Sequence, residues 1–126
     1  MHEEKVYHTF PMEPECLFCS IALKKMTVQI VHEEPDLVAF RDANPQAPTH
    51  ILIIPKKHIS SFAEATDQDS PIFGKLLSVA KEVANKEGLS KDGYRLVINQ
   101  GVHGGQTVFH LHLHLMGGRS FHWPPG

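Results

Sequence analysis

The sequence lacks the features that mark several common protein classes. Two cysteines are too few for a disulfide framework. Twelve Lys and Arg stand against fourteen Asp and Glu, a net charge of −2, which excludes a broad basic face for nucleic acid. No apolar run approaches the roughly 20 residues that span a bilayer. The start, Met1-His2-Glu3-Glu4, has neither the charged opening and apolar core of a secretory signal nor the Arg-rich character of a transit peptide. A cytoplasmic location is therefore expected, with neither membrane nor nucleic acid as a partner. There is one tryptophan, no internal repeat and no low-complexity run. At 126 residues the chain is expected to form one domain with a real core.

Histidine, by contrast, is abundant, with ten in the chain. Three of them fall in Val108-Phe109-His110-Leu111-His112-Leu113-His114-Leu115-Met116. Alternate residues fall in two registers, one of imidazoles and one of Phe109, Leu111, Leu113 and Leu115. That alternation predicts a β-strand with its apolar face on a core. Adjacent imidazoles would start roughly 6.6 Å apart and the outer pair roughly 13 Å. This is too far for three ligands on one metal, and suits separate jobs. Gly104-Gly105-Gln106-Thr107 precedes the strand, and successive N–H groups in such a glycine turn can cradle an anion.

The remaining chain reads as an α+β domain. Residues 1–14 contain Pro11 and Pro14 and are expected to be a mobile leader, with the domain at 15–126. Cys16-Leu17-Phe18-Cys19 runs toward Lys24-Lys25 as a short helix with a basic last turn. Its two thiols point to a metal or redox pair. Val28–His32 and Leu37–Arg41 read as a hairpin around Glu33-Glu34-Pro35-Asp36. His50–Ile54 is a nearly unbroken apolar run, expected of a strand covered on both faces. Ser70 is the expected N-cap of the main helix, Pro71 its first residue and Gly88 its C-cap. Ile72, Phe73, Leu76, Leu77, Ala80, Val83 and Ala84 form its expected buried stripe. Tyr94–Asn99 is the strand that turns back, through Gln100–Gly105, into the histidine stretch. Trp123, in a proline-rich ending, is expected to dock on something, such as a partner subunit.

Together these residues resemble the histidine-triad superfamily, and within it the Hint branch of nucleoside phosphoramidases. His110-Leu111-His112-Leu113-His114-Leu115-Met116 matches its His-φ-His-φ-His-φ-φ pattern, φ being apolar. The flanks agree: Gln46-Ala47-Pro48-Thr49-His50, Ile54-Pro55-Lys56-Lys57-His58, Asn99, Gly104-Gly105-Gln106, Gly117-Gly118-Arg119 and Trp123-Pro124-Pro125-Gly126. The resemblance runs from about Cys16 to the C-terminus. It implies a five-stranded antiparallel sheet with one main helix and a short N-terminal helix, paired as a homodimer into ten strands.

It also implies hydrolysis of the P–N bond in purine nucleoside 5′-phosphoramidates, such as AMP joined to an amine, with no cofactor needed for the chemistry. His112 would be the nucleophile, held by the main-chain carbonyl of His110. His114, with backbone N–H groups of Gly105 to Thr107, would bind phosphate. The Thr107 hydroxyl would contact phosphate or the leaving nitrogen. Asp42, beside Ala43, matches the carboxylate that takes ribose hydroxyls, and Asn99 and Gln106 match residues near the phosphate. Leu17, Phe18, Ile21 and Phe40 match the base pocket. Cys16 and Cys19 depart from the animal Hint pattern. They resemble bacterial relatives in which such a pair holds zinc with two histidines, here expected to be His50 and His110. Two rival readings use the same pocket: a nucleotide-binding regulatory protein with little turnover, and a dinucleoside polyphosphate hydrolase of the same superfamily.

Overall fold

The structure is a computed structural model that describes residues 16–126; the leader expected at 1–14 lies outside them. A short helix α1 (Leu17–Ala22) is followed by strands β1 (Ile30–Glu34), β2 (Leu37–Arg41) and β3 (Thr49–Pro55). Two single 3-10 turns, Phe62–Glu64 and Asp67–Asp69, lead into the long helix α2 (Ser70–Lys86), then β4 (Tyr94–Val97) and β5 (Leu113–Gly117). The five strands form one antiparallel sheet in the order β1-β2-β3-β5-β4.

Strand β3 lies at the centre and is covered on both faces, as its apolar run predicts. On one face Ile51 and Ile53 pack with Leu37, Ala39, Leu113 and Leu115 against Leu76, Val79, Ala80, Val83 and Ala84 of α2. On the other, Leu52 and Ile54 pack with Val38 and Phe40 against Phe18 and Ile21 of α1. Each fully buried Leu or Ile contributes about 1.5–3 kcal/mol relative to an exposed one. A residue such as Ile53, wholly buried, would cost about 2–5 kcal/mol as Ala.

Several sequence expectations need adjustment. Leu77 is half exposed and Val79 takes a place in the stripe. The stripe follows Leu76, Val79, Ala80 and Val83, and Leu77 lies one residue, about 100°, round from it. Ser70 is not the N-cap. The turn at 67–69 runs straight into the helix, leaving Ser70 already helical at φ −52°, ψ −41°. Asp69 occupies the cap position, its carboxylate spent on Thr66 and Lys57. Gly88 sits one place beyond the C-cap Glu87, at φ +75°. There the Leu89 N–H reaches back to the Ala84 carbonyl at 2.9 Å, a closing bond that requires this left-handed residue. Strand β1 begins two residues later than predicted and takes in Glu33 and Glu34. Their carboxylates are held by Lys24, Lys56 and Lys75.

The main departure concerns the histidine stretch. Only residues from Leu113 onward are strand. Their pairing with β3 stops at Leu113 opposite Ile53, and β3 itself ends at Pro55, so the chain at 108–110 has no strand beside it. It is held instead by the Leu111 N–H on the Ile59 carbonyl at 2.6 Å and by the Gln106 amide on the Ser60 and Val108 carbonyls. Leu111, Leu113 and Leu115 still face the core. Phe109 does not: the bend turns it outward, 59% exposed.

Candidate functional site

The cleft that receives the histidine stretch has a volume of about 480 Å³. One side is formed by Leu17, Phe18 and Ile21 of α1 with Phe40 and Leu52; the other by Asp42, Ala43, His50, Thr107, His112 and His114. Nine residues expected to meet a ligand therefore converge here: Leu17, Phe18, Ile21, Phe40, Asp42, Ala43, Thr107, His112 and His114. Asn99, Gly105 and Gln106 are outside its lining. Met26, Val28, Arg41, Asn44, Gln46, His50 and Val108 also line it. Of these, the sequence singles out only His50, and for another role. A larger cavity of about 630 Å³ lies by Arg95, Arg119 and Phe121. Its two guanidiniums stack on Phe121 and bond to carbonyls of His122, Gln46 and Ser120.

A chain of hydrogen bonds fixes the tautomers around the cleft. The Gln46 backbone N–H donates to His50 Nδ1 at 3.0 Å, so the His50 proton is on Nε2. That nitrogen lies 2.9 Å from His114 Nδ1 and must donate to it, which puts the His114 proton on its own Nε2. His114 Nε2 is buried and has no partner among the described residues. A buried donor without an acceptor costs about 1–3 kcal/mol, and one lining a cleft is a ready donor for a ligand oxygen or nitrogen. His50 and His114 meet because β3 and β5 are antiparallel, with Leu52 opposite His114, so His50 is its diagonal neighbour on the same face.

His112 is fixed differently. Its Nδ1 donates to the His110 carbonyl at 2.7 Å, leaving the Nε2 lone pair available. Phe18 meets its ring edge-on, with centroids 5.1 Å apart. Burial is the largest effect on its pKa and lowers it, against the opposing carbonyl bond and Asp42. His114 is pushed down to about 4, by burial first and then by His112 and His50. His50 is likewise lowered by burial, with Asp42 opposing. At neutral pH all three are uncharged, the state in which His112 is a nucleophile and His114 a neutral donor. The Asp42 carboxylate caps its own turn at the Asn44 N–H, 2.8 Å away, and remains about one-fifth exposed.

The expected backbone cradle is smaller than predicted. The N–H groups of Gly105 and Gln106 are bonded inside the loop, to the Val102 and Gly101 carbonyls at 3.0 Å each. Of the three amides, only that of Thr107 is not spent in this way. The glycines serve the loop's own closure. A Cβ at Gly104 would lie 2.4 Å from the Gln100 carbonyl oxygen, and Gly105 has φ +82°.

On the far side of His112, Cys16, Cys19, His58 and His110 converge, their donor atoms all within 4.8 Å of one another. Cys16 Sγ lies 3.3 Å from His110 Nδ1, and Cys19 Sγ 3.3 Å from His58 Nδ1 and 3.5 Å from His110 Nδ1. Tetrahedral zinc with ordinary bond lengths sets sulfur and nitrogen ligands about 3.5 Å apart. The donor chemistry also fits. His110 Nε2 donates to the Pro55 carbonyl at 2.8 Å, which leaves Nδ1 unprotonated for a metal. The Cys19 N–H points at Cys16 Sγ, 3.2 Å away. Burial above all lowers the His110 pKa, to about 4.

His58 occupies the place expected for His50. The antiparallel register explains why. His50 lies opposite Met116, six residues along the chain from His110. The chain beside His110 is the far end of β3 together with the segment just past it, Pro55 to Ile59.

The chain is similar to known proteins over most of its length. The HIT domain family matches residues 24–121. An uncharacterized HIT-like protein of Synechococcus elongatus is 50% identical over 115 residues, covering 91% of this chain and all of that one. A 14 kDa zinc-binding protein of Zea mays is 52% identical over 112 residues, 87% of each chain. Among solved structures, a HIT family hydrolase of Legionella pneumophila superposes with a TM-score of 0.87 at 53% identity. It covers 89% of this chain and 100% of that one. A histidine triad protein of Clostridium difficile gives 0.85 at 36% identity, covering 87% and 96%.

Proposed function

The chain belongs to the HIT domain family, and from that premise we propose that it is a nucleoside phosphoramidase of the Hint type. Its substrate is a purine nucleoside 5′-phosphoramidate, with the base between Phe18, Ile21 and Phe40 and the ribose at Asp42. His112 Nε2 forms a bond to phosphorus as the P–N bond breaks. The electron pair leaves with the nitrogen, protonated from solvent so that it departs as the neutral amine, while His114 Nε2–H donates to a non-bridging oxygen and stays neutral. The nucleotidyl group now sits on His112, whose Nδ1–H stays on the His110 carbonyl. Water then attacks phosphorus, the electron pair of the breaking bond returns to His112 Nε2, and the nucleotide is released as the water's proton passes to solvent. Two displacements at phosphorus replace one harder step, and the donors at His114 and Thr107 stabilise the charge on the non-bridging oxygens.

The observation that carries this reading is the pair of opposed tautomers. His112 has its lone pair on Nε2 and His114 has its proton on Nε2, one fitted to attack and the other to donate. The Cys16, Cys19, His58 and His110 cluster is proposed to hold structural zinc, a closed set with no open position for substrate. The maize relative's name supports this choice. The protein is proposed to work as a homodimer, the two sheets continuing through β4. Among the described residues that strand pairs only with β5, while Trp123 beyond it is 83% exposed.

The test is turnover of adenosine 5′-phosphoramidate by wild type and His112→Ala, with metal content read on the same samples. Release of amine by wild type alone, with about one zinc per chain in both, is the expected result. A folded wild type that binds AMP and releases no amine overturns the enzyme assignment.

A further inference from the structure

Of the three arginines, Arg41 meets a carboxylate, that of Glu87, while Arg95 and Arg119 are given to backbone carbonyls. The sheet decides where Arg119 lands. Gly117 of β5 is opposite Thr49 of β3, so the chain leaving β5 runs beside the chain that enters β3. Gly118 lets the two lie close. Its φ is +91°, and a Cβ placed there would be 2.8 Å from that of Pro48. Arg119 Nε then donates to the Gln46 carbonyl at 3.1 Å. Two further contacts fix the guanidinium. Nη1 donates to the Ser120 carbonyl at 2.9 Å, and Cζ lies 4.2 Å from the centre of the Phe121 ring it covers. Phe121 is held in turn by Arg95 of β4, whose Cζ is 5.2 Å from the same ring centre. Holding so long a side chain in one conformation costs up to about 2 kcal/mol of rotamer freedom, a constraint that an exposed charge in water does not need.

We propose that Arg119 is a positioning residue for the cleft: by holding Gln46 from outside it keeps the Gln46 N–H on His50, and through His50 it keeps the His114 proton on Nε2. The kinetic part of this inference rests on the phosphoramidase reading; the tautomers rest on the hydrogen bonds alone. Two neutral imidazoles joined by one hydrogen bond have two self-consistent arrangements. In the first, His50 Nε2 donates to His114 Nδ1, 2.9 Å away, and His114 presents an N–H to the cleft. In the second both protons move to the other nitrogens, His114 Nδ1 donates to His50, and a lone pair faces the cleft, where it would repel a phosphate oxygen. The Gln46 N–H, 3.0 Å from His50 Nδ1, selects the first. Asp42 Oδ2 favours the same arrangement, but at 3.5 Å from His50 Nε2 it is too far for a strong hydrogen bond. The position of Gln46 therefore decides whether the cleft has its donor. Its side chain reaches only its own loop, at the Asn44 carbonyl, and Arg119 is what ties it to the sheet.

The experiment follows the full-length protein by nitrogen NMR of the imidazole rings, which separates protonated from bare ring nitrogens, and by kcat and KM for adenosine 5′-phosphoramidate. Wild type is expected to carry the His50 and His114 protons on Nε2. Arg119→Ala is expected to show a mixture of the two arrangements and a kcat lower by about tenfold, the low end for an outer-shell partner, with KM nearly constant. Arg119→Lys, which keeps a cationic donor, should restore most of both. Phe121→Ala leaves the guanidinium and removes the ring beneath it; it should give a smaller change of the same kind, and it decides the matter if Arg119→Ala does not fold. Unchanged tautomers in folded Arg119→Ala overturn the proposal, whatever happens to kcat. A rise in KM with kcat and tautomers unchanged also overturns it, and would assign Arg119 to the Asp42 side of the loop. If wild type releases no amine, the phosphoramidase reading fails separately, and the tautomers alone decide the role of Arg119.

Discussion

Two groups of side chains flank His112, both built largely from imidazole, and they differ in what their nitrogens meet. On one side His50 and His114 meet a backbone N–H, each other and the cleft, with Asp42 alongside. On the other, His58 and His110 meet the sulfurs of Cys16 and Cys19. The first group ends in an unpartnered donor aimed at a ligand; the second closes on itself. Residue type alone therefore does not assign a histidine its job. His110 and His114, four residues apart, have similarly lowered pKa values of about 4 and opposite surroundings. His112 depends on both: it lines the cleft beside His114, and its Nδ1 rests on the carbonyl of the residue the thiols hold.

Disturbing each side separately tests this division. The largest effect is expected on the cleft side. His114→Asn removes the Nε2 donor and should lower kcat by about 10²–10³, the usual cost of one such donor, with metal content unchanged by mass spectrometry. Replacing Cys16 and Cys19 together by Ser should abolish metal binding and lower the melting temperature by on the order of 10 °C, measured by calorimetry. The KM for nucleotide should rise as well, because α1 carries Phe18 and Ile21 into the cleft. A smaller effect is expected from His50→Phe, which leaves His114 Nδ1 without its donor. It should cost about tenfold in kcat with KM nearly constant. An equal loss in KM would mean that His50 holds the ribose side and does not orient His114.

The smallest effect is a pH dependence. The folded pKa of His114 is about 4, below its ordinary 6.5. Between those values the unfolded chain binds the proton and the folded chain does not. Its contribution to stability is present above about 6.5 and is lost as pH falls toward 4. Urea unfolding at pH 7, 5.5 and 4.5 should show that decline, with a shallower slope in His114→Asn.

Much of this was legible from residue patterns. The unbroken apolar run of β3 announced a strand buried on both faces. The alternation around His110, His112 and His114 separated core from site even where no strand formed, because Leu111, Leu113 and Leu115 need burial whatever the ladder does. Pairing across the sheet was not legible. Whether His50 or His58 lies beside His110 depends on register, which is a relation between two segments and is written in neither. The exits of the Gly105 and Gln106 amides were hidden for a similar reason, since a glycine turn can offer its N–H groups to an anion or spend them on its own carbonyls. Phe109 followed the apolar pattern on paper and left it in the fold, where the end of β3 removes the partner that would have kept it inward.

The central claim is that His112 attacks phosphorus while His110 only holds it. Rapid acid-free quenching of the reaction with an adenosine 5′-phosphoramidate, followed by intact mass and peptide mapping, tests it directly. A transient nucleotidyl adduct on His112, absent from His112→Ala and retained longer in His114→Asn, is the predicted result. An adduct on His110 or His114, or turnover that survives in His112→Ala, would contradict it.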